Sequence, residues 1–307
     1  SLFLKMLVLA VPFLLLTAWY IWKDPFMVLH DYTPQQYDNS PYYQGEGYVG
    51  WEKLKQLGHR QRYDAFVLGN SCTKAFTSTD WNKNIPVKSF RLFSNNENLG
   101  DLCLKLHALD SLYHYPVRYL LIIAEPSTFA SSLPQEGPMH MMPSEVSGAS
   151  VSKIQLTYFQ AFLDTRFLLP YIRYQLTGKY DRSMKNRISP WCPTRTLWAN
   201  DAILYQEDTI RAQGKRYWEG RGWDDCDAEI SRPVVLPAFI KQPQRASLET
   251  IRGFCRRHHT NLKLVIGPNC HDEQMNPHDL KTLQDILGRG NGYDYTRNRR
   301  FSHYRGL

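Results

Sequence analysis

YDAFVLGNSCTKAF, residues 63–76, decides the reading of this chain, because a short apolar run ends there in a small-residue turn that carries a serine. Ala65 to Leu68 is continuous apolar sequence of the kind that makes a strand buried on both faces. Gly69 breaks the run, and Thr73 to Phe76 reads as the start of a helix. Ser71 is therefore expected at the carboxyl edge of a strand and the amino end of a helix, where free backbone N–H groups and the helix dipole favour an oxyanion. This makes Ser71 the candidate nucleophile, with helix capping as the competing role for a serine in such a turn. The spacing is not G-x-S-x-G, since Thr73 occupies the position of the second glycine, and no G-K-[ST] follows to form a phosphate loop.

Outward from this stretch, strands and helices alternate. Residues 87–93 read as a second strand, 99–113 as an amphipathic helix, 118–124 (RYLLIIA) as a third strand, 245–258 as a helix, 262–266 (LKLVI) as a fourth strand and 292–295 as a short fifth. Asn276-Pro277 is a helix start, with asparagine as cap and proline in the first turn, leading to about Leu287. The pattern predicts an α/β fold with a doubly wound, mainly parallel sheet. Ligands bind such sheets at the carboxyl ends of the strands. Residues from about 127 to 244 fall outside the alternation and read as an insertion. Within it, 154–176 is an apolar and aromatic helical pair interrupted by Pro170, and 182–233 is loop-rich, with Trp191, Trp198, Trp218 and Trp223 among charges. Exposed aromatics beside charges can stack on sugar rings, and packed loop anchors are the plainer reading.

The amino terminus has a different character. From Leu2 to Trp22 only Lys5 is charged, and the uncharged part from Met6 is long enough for one membrane crossing. Trp19, Tyr20 and Trp22, followed by Lys23, form the belt expected where a helix leaves the bilayer. No A-x-A cleavage pattern follows, so the segment is expected to remain as a transmembrane anchor over residues 1–23. Residues 24–56, rich in Tyr, Asp, Gly and Pro, read as an extended connector, and 57–307 as one α/β domain. A large domain behind an amino-terminal anchor is expected outside the cytoplasm. A net charge of +8 over 307 residues is moderate and scattered; it suits anionic lipid headgroups or envelope glycans better than nucleic acid. The six cysteines show no C-x-x-C pair and no zinc spacing. Cys192 and Cys226 are the expected pair in an oxidising compartment, with buried free thiols as the alternative. Cys270, His271, Asp272, Glu273 and His278 read as a loop entering a capped helix, so neither metal nor cofactor is expected.

The carboxyl edge collects Ser71, the loop 94–100, Glu125-Pro126-Ser127, Pro268-Asn269 and, late in the chain, FSHYRGL with His303. In these features the chain resembles the SGNH (GDSL-like) hydrolase superfamily in its membrane-anchored bacterial form. GNSCTKAF is similar to that form's G-[NS]-S-R-T-x-A-F block, and DPFMVLHDY, LTGKY, NPHDL and the final SHYR extend the likeness thinly along the chain. Such proteins are similar to the anchored partners of multispanning membrane-bound O-acyltransferases that modify envelope glycans. The resemblance implies a nucleophile at Ser71, a base at His303, and oxyanion donors at the Ser71 amide, Asn96 and Gly100. The family's acid three residues before the histidine is replaced by Arg300, so either Asp294 or another carboxylate orients His303, or the base is impaired. Two functions follow: an extracytoplasmic serine acyltransferase or esterase, or a non-catalytic scaffold subunit of an envelope assembly.

Overall fold

The computed structural model describes residues 2–217, 219, 234–268 and 273–297, with side chains from Ala10 onward except that of Lys215. Its centre is a five-stranded parallel sheet built from β1 (Ala65–Gly69), β2 (Ser89–Arg91), β3 (Tyr119–Ala124), β4 (Asn261–Ile266) and β5 (Gly292–Asp294). The strand order across it is β2-β1-β3-β4-β5, an order shared by doubly wound sheets whose ligands bind between the first and third strands. Registers are continuous: Ala65 pairs with Ser89 on one side and Tyr119 on the other, Tyr119 with Asn261, and Leu264 with Gly292. Every residue of β1 is buried, which explains why its sequence is apolar without alternation.

Among the described residues seven longer helices accompany the sheet: α1 (Leu2–Lys23), α2 (Glu46–Gln61), α3 (Leu99–Leu112), α4 (Val151–Leu163), α5 (Thr165–Thr177), α6 (Gln242–His258) and α7 (Pro277–Leu287). Asn98 and Asp101 close a capping box on α3, and the Asn276 side chain accepts from the His278 N–H at the start of α7. The core joins Leu54 and Leu57 of α2, Leu102 and Leu106 of α3, Leu248 and Phe254 of α6 and Leu283 of α7 to Phe66, Leu120 and Leu264 of the sheet.

Three expectations need correction. The connector over 24–56 is not extended throughout, because α2 begins at Glu46 and buries Trp51 and Leu54 in the core. Its glycines disguise it; a Cβ at Gly47 would stand 2.4 Å from Ser94 Oγ, so the residue is small for contact with the β2 loop. The helix expected after Ser71 is a single 3-10 turn, Ser71–Ala75, too short to carry a useful macrodipole. The helical pair breaks at Asp164, whose carboxylate caps α5, while Pro170 lies within α5.

Helix α1 does not stand apart. Phe13 meets Phe159, Tyr20 meets Phe162 and Trp19 meets Tyr171 at ring-centroid separations of 6.0, 5.0 and 5.1 Å, so α1 joins α4 and α5 in a second, aromatic core. Among the described residues no helix is long and apolar enough to cross a membrane; the described side chains of α1 cover its second half and beyond.

Gly69 closes β1 with φ of +132°, a conformation that side-chain-bearing residues rarely adopt, and a Cβ there would lie 1.9 Å from the Ile123 carbonyl oxygen. Gly69→Ala is expected to destabilise the domain by about 3 kcal/mol or more. Urea unfolding followed by tryptophan fluorescence reads the shift in midpoint.

Candidate active site at the carboxyl edge of the sheet

The turn that presents Ser71 is held from both sides. Asn70 caps it: its side-chain oxygen accepts from the Cys72 N–H at 3.0 Å, and its backbone carbonyl accepts from the Thr73 hydroxyl at 2.8 Å. The Asn70 side-chain amide donates across to the Glu125 carboxylate, which ties the turn after β1 to the turn after β3. Ser71 itself is exposed, and among the described residues its hydroxyl has no hydrogen-bond partner. Asn70 thus takes the capping role and leaves Ser71 free of it.

Below the turn lies a buried charge. Glu97 and Lys105 are both enclosed, with Lys105 Nζ 2.8 Å from Glu97 Oε2. The same oxygen accepts from the Gly69 N–H at 3.1 Å and the Ser94 N–H at 3.2 Å, while Lys105 also donates to the Leu92 carbonyl at 2.8 Å. Burial pushes the Glu97 carboxyl up, to about 7, against the pull of Lys105, and pushes the Lys105 ammonium down. One carboxylate oxygen therefore joins the end of β1, the loop after β2 and α3.

The oxyanion candidates are placed differently from one another. Asn96 is exposed, adopts φ of +47°, and accepts from the Gln135 side chain through its carbonyl. Gly100 is buried in the first turn of α3, where a Cβ would meet the Leu133 and Pro134 backbone at 2.4 Å. Segment 131–135 seals the loop further, since Asn98 donates to the Leu133 carbonyl at 2.9 Å and the Gln135 N–H donates to Asp101 at 3.0 Å.

Asp294 ends β5 and is already engaged: its Oδ1 accepts from the Thr296 hydroxyl at 2.6 Å and the Thr296 N–H at 3.0 Å, and Arg297 Nε stands 4.0 Å from Oδ2. β3 and β4 separate its strand from that of Ser71, about 14 Å at ~4.8 Å per strand step. Direct contact between the two is excluded, and a bridging side chain is required. His303, Arg300 and Asn269 lie outside the described residues, as does Cys226; its expected partner Cys192 is a free thiol that donates to the Ser40 carbonyl at 3.4 Å.

Sequence reasoning missed Lys74, which stands three residues after Ser71. In a 3-10 turn, residues so spaced eclipse one another about 6 Å apart along the axis, and the S-x-x-K spacing was its visible signal. The Lys74 ammonium is half-buried, has no ion pair among the described residues, and is pulled below the usual lysine range by burial. It borders a cavity of about 200 Å³ shared with Arg91 and Arg195. A larger cavity of about 420 Å³, lined by Gly58, Leu112 and Tyr113, lies where α2 and α3 run into β1 and β3, at the opposite edge of the sheet. No known protein family, curated protein or solved structure matches the chain.

Glu97→Gln leaves the Lys105 charge buried without a counter-ion and is expected to cost about 3–5 kcal/mol, whereas Glu97→Gln with Lys105→Met is expected to recover much of the loss. Urea denaturation of the single and double variants measures the coupling. Cys72, beside Ser71, has its thiol pushed up to about 12 by burial and then by the Glu125 carboxylate. Around pH 8 only on the order of one thiol in ten thousand is ionised, so Cys72 is expected to alkylate slowly with iodoacetamide. Removing the neighbouring charge in Glu125→Gln lowers that pKa and is expected to speed the reaction severalfold, read by mass spectrometry of the peptide.

Proposed function

We propose that the chain is an SGNH-type serine acyltransferase or esterase, anchored in a bacterial membrane, that acts on acyl groups of an envelope glycan outside the cytoplasm. The observation that carries this reading is an exposed, uncapped serine hydroxyl on a rigidly braced turn at the carboxyl end of β1. The β2-β1-β3-β4-β5 order supports it, because β1 and β3 flank the point where doubly wound sheets hold their ligands.

In this reading the Ser71 oxygen attacks the acyl carbonyl while its proton passes to His303. The tetrahedral oxyanion takes hydrogen bonds from the Ser71 amide and from the loop that carries Asn96. Collapse expels the first alcohol with the proton returned by His303, leaving an acyl-serine. A glycan hydroxyl or water then takes the acyl group by the same steps in reverse. Asp294 serves as the carboxylate that orients His303.

Helix α1 supplies the anchor. Its 22 residues span about 33 Å at 1.5 Å per residue, close to the hydrocarbon thickness of a bilayer. Leu14, Leu15 and Trp22 on it are exposed, and Lys23 lies 4.2 Å from the Trp22 ring where the helix ends. A multispanning O-acyltransferase is the proposed partner, delivering the acyl group across the bilayer.

A second reading rests on the replacement of the family's acid by Arg300 and on the engagement of Asp294 by Thr296: a non-catalytic scaffold with the same anchor and fold. Fluorophosphonate labelling separates the two, because such probes capture only an activated serine. The expected result is labelling of the purified protein that is abolished in Ser71→Ala and reduced at least a hundredfold in rate in His303→Ala. Absence of labelling under conditions where a serine esterase reacts assigns the scaffold role.

A further inference from the structure

Two cationic groups, Arg91 at the end of β2 and Lys74 in the turn after β1, face one cavity with no direct ion pair of their own among the described residues. Arg91, the last residue of β2, is 1 % exposed, yet its Nη1 has no hydrogen-bond partner among the described residues. Its Nε donates to the Asn200 carbonyl at 2.8 Å, and the Phe93 ring lies 4.2 Å from the guanidinium carbon, so the head group is fixed in place. Lys74 reaches the same cavity from the Ser71 turn. Arg195, the third cation there, is paired with Glu46 at 2.8 Å; Glu46 also lines the cavity and is the carboxylate that most favours the Arg91 and Lys74 charges, while Asp201, which favours Arg91 less, accepts from the Ser78 N–H and hydroxyl. Of three cations at the cavity, one is neutralised by direct contact.

A buried guanidinium nitrogen without a partner costs free energy that a ligand oxygen would recover. Burial, with Arg195 close by, holds the Arg91 guanidinium down at about 10, and burial holds Lys74 down as well. An arriving anion would relieve both. The cavity, about 200 Å³, holds the equivalent of roughly six or seven waters at ~30 Å³ each, enough for one charged group and part of the ring that bears it. At its rim Trp191 is 55 % and Tyr205 40 % exposed, with ring centroids 6.0 Å apart. Solvent-facing aromatics at the mouth of a basic cavity suit the apolar face of a sugar.

We infer that the cavity between Lys74, Arg91, Trp191 and Tyr205 is a subsite for an acidic sugar, whose carboxylate or phosphate is held by Lys74 and Arg91 while its ring lies on the two aromatics. The subsite rests on the proposed glycan-modifying function and narrows its substrate class to anionic glycans. Because Lys74 and Ser71 share one 3-10 turn, the charged group is gripped a single turn from the reacting hydroxyl. The cavity then sets which hydroxyl or ester of the glycan reaches Ser71.

Isothermal titration of the detergent-solubilised full chain tests this with four probes: a trigalacturonate, glucose 6-phosphate, a neutral trisaccharide and inorganic phosphate. The charged sugars are expected to bind at least tenfold more tightly than the neutral one, and the tighter of the two identifies carboxylate or phosphate as the native group. Lys74→Gln and Trp191→Ala, at partly exposed positions that keep the fold, are each expected to weaken that binding at least tenfold. Equal affinity for the neutral trisaccharide, no measurable binding of either charged sugar, or unchanged affinity in Lys74→Gln overturns the inference. Inorganic phosphate binding as tightly as the sugar phosphate, with Trp191→Ala silent, overturns the sugar assignment. Ser71→Ala is expected to bind all probes as the parent does. Binding without fluorophosphonate labelling therefore counts against the enzyme alone, and labelling without binding against the subsite alone.

Discussion

A single oxygen, Oε2 of Glu97, holds the edge of the sheet together. It receives the last N–H of β1, the Ser94 N–H of the loop after β2 and the ammonium of Lys105 from α3. Each of these groups would be costly to bury alone, and together they satisfy one another around an oxygen that cannot reach water. The arrangement is demanding because its members are not interchangeable: the carboxylate without the lysine, or the lysine without the carboxylate, is a bare charge in an apolar core. Gly69 must then turn at φ of +132° for its N–H to point at Glu97 while its Cα passes the Ile123 carbonyl. The position of Ser71, two residues on, is inherited from that turn.

A second tie works at right angles to the first. Asn70 spends its oxygen on the turn and its amide on Glu125, so β1 and β3 are joined beyond their last ladder pair. Loop 131–135 closes over α3 from the outside. The serine is an exposed member of a turn in which the polar side chains of Asn70 and Thr73 are already engaged.

Much of this architecture was legible in the sequence because parallel strands announce themselves. VLG after Ala65-Phe66, and YLLIIA, carry unbroken apolar runs that only a sheet covered on both faces explains. The Asn276-Pro277 start of α7 was equally plain. Helix α2 was hidden because Gly47, Gly50 and Gly58 count against a helix by propensity, while their real purpose is close approach to Ser94, Leu92 and Tyr113. The helical pair was broken at the wrong residue because a proline is a louder signal than the capping carboxylate of Asp164. At the site, Ser71 could be placed from its strand. The meeting of Arg91 with Arg195 and Trp191 could not, because residues a hundred positions apart leave no periodicity to read. Lys105 offered a fainter clue, as a lysine inside the apolar stripe of Leu102, Leu106 and Leu109.

The aromatic seam between α1 and the α4–α5 pair bears on how far the molecule can reach. Directly after α1 the chain reverses, with the Asp24 carboxylate accepting from the Val28, Leu29 and His30 N–H groups, and Phe26 returns onto Tyr158 and Phe167. There is no slack between the amino-terminal helix and the body. If that helix stands in a bilayer, the sheet edge that carries Ser71 is held at one height and one bearing above the lipid, like a lamp on a fixed bracket. Whatever meets that edge must then come within its radius.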